Sequence, residues 1–229
     1  MITISSSKSI GVLLLAGAGL VGLNSCSKSN SSSASSARVM YTNGCVGATA
    51  TSLTVNGSTL ADASGVVYLG NSGYHGVASG SASLTSTLTG VGTLGSLSTT
   101  LNANASYSVF DCGTVLADTL VIVADALPST SGSYAYARLV NVSSDTTATA
   151  ITGAVGNTVV GSAVAYGAAS GFVQVTPGSY SLTALNVNKP GNVATLSNVQ
   201  LNGGKIYTLL YSGNSNASVG FKITVINNN

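Results

Sequence analysis

The chain has 229 residues, yet it contains no glutamate, no tryptophan, one histidine and three prolines. Its five acidic residues are all aspartates, and its seven basic residues stand singly along the sequence. Binding to nucleic acid or to an anionic membrane surface needs clustered Lys and Arg, so both are excluded as partners. A zinc site wants three or four Cys or His at short spacing, and calcium wants clustered carboxylates; neither pattern is present. No cofactor-binding fingerprint is present either, since Gly90-Val-Gly92 and Gly203-Gly204 are turn glycines outside any strand–loop–helix context. Low charge with few aromatics can signal disorder, but hydrophobic residues make up 45% of this chain. The polar remainder is Ser, Thr, Asn and Gly, which suits strands and turns.

What is present begins at the N-terminus. Lys8 precedes an apolar run from Ile10 to Leu23, followed by small and polar residues and then Cys26. This is the layout of a secretory signal, too short for a comfortable permanent span. The cysteine makes it resemble a bacterial lipoprotein signal over residues 1–25. That resemblance implies lipidation of Cys26 as the new N-terminus and attachment to a membrane through lipid. Removal of residues 1–25 takes away Lys8 and leaves a nearly neutral chain. Residues 26–36, SKSNSSSASS after the cysteine, read as a flexible tether.

Beyond the tether the chain is written twice. Ala37-Arg38-Val39 returns as Ala137-Arg138-Leu139, and Tyr68 returns as Tyr166. Ser83-Leu84-Thr85 returns as Ser181-Leu182-Thr183, and Leu101-Asn102 with Tyr107 returns as Leu201-Asn202 with Tyr207. An offset of 98 to 100 residues marks a duplicated domain. Each copy reads as short strands between Gly, Asn and Ser turns, with Tyr180, Leu182 and Ala184 alternating against Ser179, Ser181 and Thr183. Roughly seven strands per copy predict an all-β protein of two tandem immunoglobulin-like antiparallel β-sandwiches. The expected boundaries are 37–127 for domain 1, 128–134 for a linker and 135–229 for domain 2. Each copy carries enough Val, Leu, Ile and Tyr for a core of its own.

The second copy runs from Ala135-Tyr-Ala-Arg-Leu-Val-Asn141 through Val175-Thr-Pro-Gly-Ser-Tyr-Ser-Leu182 to Leu201-Asn-Gly-Gly-Lys-Ile-Tyr-Thr208. It resembles a bacterial extracellular domain known as domain of unknown function 4397. The first copy resembles the same domain more weakly over residues 37–125, because Ser79-Gly80-Ser81 lacks the proline and Asn104-Ala105 replaces Gly-Gly, so the chain reads as two tandem copies. The resemblance implies an exported protein of the Bacteroidota type, lipid-anchored at the outer membrane, and it brings no catalytic residues.

Reactive constellations are scarce. The titratable candidates are His75, Asp62, Asp111, Asp118, Asp125 and Asp145, and acid–base work needs at least two of them together. His75 reads as a partly exposed strand residue, and no nucleophile elbow surrounds any serine. With Cys26 assigned to lipid, Cys45 and Cys112 form an even pair in an oxidising compartment. A bridge between them would contribute roughly 4 kcal/mol on the chain-entropy model; the alternative is two small buried thiols. Asp118-Thr119-Leu120 and Asp145-Thr146-Thr147 resemble an O-glycosylation pattern of Bacteroidota, making Thr146 and Thr119 candidates. The expectation is a non-enzymatic, lipid-anchored envelope protein, structural or adhesive. The alternatives are a glycan- or peptide-binding accessory lipoprotein of an uptake system, and a fibre subunit joined by strand exchange.

Overall fold

Strand periodicity decides the architecture. Residues Ala50–Val55 alternate half-buried and buried along their whole length, as a strand with one face on a core must. The computed structural model describes residues 35–143, 145, 150–186, 189–215 and 219–229, and within them there is no helix. Cys26 and Thr146 lie outside the described residues.

Residues 33–229 form one compact unit built from four sheets. In the first repeat, β1 (Ser36–Asn43), β5 (Asn71–Ala78), β8 (Ser106–Thr114) and β9 (Ala117–Ala124) form an inner sheet in the order β5-β1-β8-β9. The outer sheet is β3-β2-β6-β7, from β2 (Ala50–Val55), β3 (Ser58–Thr59), β6 (Gly80–Leu88) and β7 (Gly92–Leu101), with β4 (Val66–Val67) also pairing β2. The second repeat copies this plan. Its inner sheet is β13-β10-β16-β17, from β10 (Ala135–Asn141), β13 (Val173–Val175), β16 (Ile206–Gly213) and β17 (Phe221–Asn227). Its outer sheet is β12-β11-β14-β15, from β11 (Ala150–Val155), β12 (Thr158–Ala165), β14 (Gly178–Asn186) and β15 (Lys189–Leu201).

The all-β fold of β-sandwiches is as expected, and two details refine the sequence reading. The central pairing of each inner sheet, β1 with β8 and β10 with β16, is parallel, although the sandwiches were expected to be antiparallel. The repeats also align differently at their first strand. Asn43 Nδ2 donates to Val66 O and Asn43 Oδ1 accepts from Cys45 N, while Asn141 does the same with Val164 and Ser143. The offset there is therefore 98, so Arg138 stands where the first repeat has Met40, not Arg38. The offset is 100 at the last turn, where Asn102 N and Asn202 N donate to the hydroxyls of Tyr107 and Tyr207. Those two tyrosines are corner residues, as their matched positions suggested.

Each repeat has its own core between inner and outer sheet, centred on Val39, Leu53, Leu84 and Val109 in the first and on Leu139, Ile151, Leu182 and Leu209 in the second. A third core joins them. Met40, Phe110 and Cys112 of the first inner sheet pack on Val140, Leu210 and Ile226 of the second. The central inner strands β1, β8, β10 and β16 are thus covered on both faces over most of their length, and β16 is buried at every residue. The two repeats share a seam rather than hanging as beads on residues 128–134.

Candidate functional site

The seam carries a buried polar network at one end. Arg138 of β10 is 2% exposed and ion-pairs with Asp125 Oδ1 at 2.6 Å. Its Nε donates to Thr208 Oγ1 at 3.0 Å and a terminal nitrogen to Ser108 Oγ at 3.1 Å. Asp125 Oδ2 accepts from Ser108 Oγ and Tyr74 Oη, and Asn228 reaches both Tyr74 Oη and Thr208 Oγ1. The Phe172 ring lies 4.7 Å from the guanidinium. Every charge here is paired and hydrogen-bonded, the condition for burying an ion pair without large loss. Burial beside the Asp125 carboxylate pushes Tyr74 up to about 12.

At the other end the first repeat holds a second cluster. Tyr41 Oη donates to Asp111 Oδ2 and sits 2.5 Å from Thr51 Oγ1, with Ser86 beside them. Asp111 is fully buried, and burial raises its pKa against the hydrogen bonds that favour its charge. Burial and the Asp111 charge push Asp118 of β9 up to about 7. The niche for Asp118 exists because residue 95 is glycine: a Cβ there would lie 2.9 Å from Asp118 Oδ2. Two neighbouring carboxyls of this kind each disfavour the other's charge. Asp111 presents no surface to solvent, so a diffusing substrate does not reach it, while Asp118 is half-buried.

The bridge expected between Cys45 and Cys112 is not made, and both are free buried thiols. The register explains it. Asn43 pairs with Asp111 and Val46 with Thr114, which sets Cys112 opposite Gly44 and Cys45 opposite Gly113. One step of register sends the two side chains to opposite faces. Cys112 accordingly packs in the seam and Cys45 in a small cluster with Ala48 and Leu88. Burial raises both thiols well above their ordinary range.

The remaining candidates are spread out. His75 Nε2 lies 2.8 Å from Ser72 O and 3.4 Å from Asp62 Oδ2, which is largely exposed. This residue borders a cleft of about 330 Å³ with Val55, Leu60 and Ala61. Thr119 is exposed on β9, opposite Cys112. Asp145 is buried near Tyr211. Tyr68 and Tyr166 both bind the seam: Tyr68 Oη is 2.9 Å from Ser212 Oγ, and Tyr166 Oη lies against Gly113. Among the described residues, no three His, Cys, Asp or Glu side chains converge on a metal site. Sequence reasoning missed the Arg138–Asp125 pair. The only available signal was an arginine inside an otherwise apolar strand.

A family model described as "Domain of unknown function (DUF4397)" matches residues 135–229, the second repeat. Among solved structures, the chain is similar to a family CBM26 module of Eubacterium rectale Amy13K, solved in complex with maltoheptaose, at 13% identity and a TM-score of 0.27. That match covers 82% of this chain and 96% of the other. It is also similar to a protein of Bacteroides uniformis described as a cell adhesion protein, at 9% identity and a TM-score of 0.28, covering 84% and 96%. No curated protein matches the chain.

Proposed function

We propose that the protein is a non-enzymatic module of the bacterial cell envelope, anchored through a lipid on Cys26 and serving structure or adhesion. One observation carries this reading: the acid and base residues serve the fold. Asp111 and Asp125 are closed inside, Arg138 neutralises Asp125, and His75 stands with the exposed Asp62 alone. The surface left for contact is dominated by Ser, Thr, Asn and Gly, which suits display better than turnover. Attachment to the outer membrane, on either face, follows from the signal-like segment. O-glycosylation of Thr119 is compatible with its exposure on β9. The test is mass spectrometry of the protein isolated from membranes. A lipidated N-terminal Cys26 is expected, with solubilisation by Cys26→Ala; an unmodified chain starting elsewhere would remove the anchor. Loss of any hydrolytic activity on His75→Ala would overturn the non-enzymatic reading.

A further inference from the structure

The β8–β9 hairpin of the first repeat sets two carboxyls side by side. Gly113 pairs with Asp118 and Asp111 with Leu120, so both aspartates project from one face of the sheet, across a glycine that adds no side chain. Asp111 Oδ1, Asp118 Oδ1 and Asp118 Oδ2 are closed off from water and have no hydrogen-bond partner among the described residues. The Cys45 thiol and the Thr119 amide lie near Asp118 without reaching hydrogen-bond geometry. A fold leaves buried acceptors unmet only at a cost, and these three belong to groups that carry charge. Asp125 shows the contrast, since it is also buried and Arg138 neutralises it. Among the described residues no cationic side chain pairs with Asp111 or Asp118. Hydroxyl oxygens surround the pair instead. Tyr41 Oη and Thr51 Oγ1 lie against Asp111, and Ser86 Oγ, which accepts from Gly95 N at 3.2 Å, reaches the same carboxyl. The second repeat has Ile151 and Ala184 in place of Thr51 and Ser86 and keeps the same strand plan, so the fold itself does not require these oxygens.

We infer that Asp111 and Asp118, with the hydroxyls of Thr51 and Ser86, form a calcium site inside the first repeat. Two carboxylates match the charge of one divalent cation, and carboxylate and hydroxyl oxygens are hard donors. Calcium accepts irregular all-oxygen surroundings, whereas magnesium keeps several of its waters, for which a closed cluster has no room. Asp118 is half-buried, so its side is the way in. The ligands come from β8 and β9 of the inner sheet and from β2 and β6 of the outer sheet, so a bound cation ties the two layers of this sandwich together.

The test takes the full chain in detergent, stripped with EDTA and held at pH 8, above the Asp118 value of about 7. Equilibrium dialysis followed by elemental mass spectrometry should count one calcium per chain, with a Kd of about 0.1–1 mM. In melts, 10 mM calcium should raise the Tm by about 3 °C or more over EDTA. Asp118→Asn should abolish both effects, and Asp62→Asn, which alters an exposed carboxyl of the same repeat, should keep both. Ser86→Ala, which leaves the two carboxyls in place, should weaken calcium binding about fivefold. In EDTA, Asp118→Asn should melt no lower than wild type, which checks that the variant folds. No calcium retained, an equal rise in Asp118→Asn, or an equal rise with magnesium at matched ionic strength overturns the site. Zinc retained through Cys45, lost on Cys45→Ser while calcium leaves the melts unchanged, overturns it as well.

Discussion

The two repeats fill the same five interior positions with opposite chemistry. In the first, Tyr41, Thr51, Ser86, Asp111 and Asp118 make a polar cluster with two carboxyls. In the second, the equivalent positions hold Leu139, Ile151, Ala184, Tyr211 and Phe221, and the two aromatics stack at 5.6 Å. The skeleton tolerates both because strand pairing and corner tyrosines set the backbone independently of what fills that end of the core. The price of the polar version is that each member needs a partner, since an unsatisfied buried group costs about 1–3 kcal/mol. The seam shows the reverse exchange, with Met40 in the first repeat and Arg138 in the second, Asp125 in the first and Asn228 in the second. Each repeat therefore supplies one half of the buried ion pair, and neither half is neutralised within its own repeat.

The largest effect should come from breaking that exchange. Arg138→Ala leaves Asp125 buried without its counter-charge, and chemical denaturation should show a loss of about 3–5 kcal/mol. Replacing both residues by the other repeat's choice, Arg138→Met with Asp125→Asn, should recover most of the loss. If the double variant is as unstable as the single one, the network is more than a neutralised pair.

Removing one hydroxyl from each cluster sharpens the contrast. Tyr41→Phe deprives Asp111 of one of its donors and should cost about 1–3 kcal/mol. Tyr211→Phe removes a buried hydroxyl that has no hydrogen-bond partner among the described residues, so it should be neutral or stabilising in the same melts. Equal losses would mean that ring packing, not the hydrogen bond, distinguishes the repeats.

Much of this skeleton can be read from residue order. The alternation in Ser179 to Leu185 predicts β14, and the paired Leu-Asn and Tyr positions predict both corners. The seam cannot be read that way. Strands such as Ile206–Gly213 carry apolar and small polar residues on both faces, but nothing local says that the second face meets another repeat. The match of Arg38 with Arg138 also misleads, because identity at an offset of 100 outweighs a two-residue slip that only the Asn43 and Asn141 hydrogen bonds reveal. The cysteine pairing failed for a related reason: an even count cannot report that two residues are one register step apart.

The carboxyl pair makes the first repeat pH-sensitive. Asp118 rises from 3.8 to about 7 in the folded chain, so the folded state holds its proton longer than the unfolded state. Stability should therefore fall as pH rises from about 4 through 7, and the lost part returns on acidification. Partial solvent access reduces the effect to about 1 kcal/mol, a Tm change of about 2–4 °C between pH 5 and pH 8. Asp118→Asn should flatten that dependence and raise the Tm at pH 8. A profile unchanged by the substitution would assign the pH dependence to another group.

The smallest effect tests the near-symmetry of the seam at its cysteine. Ser212 bonds Tyr68 Oη and donates to Gly44 O, while its counterpart Cys112 faces the Tyr166 side of the same seam. Cys112→Ser gives the first repeat the second repeat's residue and offers Tyr166 a hydroxyl in place of a thiol. Stability should change by less than about 1 kcal/mol, because one satisfied weak donor replaces another. Reductant should make no difference to wild-type melts, and peptide mapping without reduction should recover Cys45 and Cys112 as separate thiols that react with alkylating agents only after unfolding. A reductant-sensitive wild type that loses that sensitivity with Cys112→Ser would mean that strand β8 can slip by one residue and bring the two sulfurs onto one face.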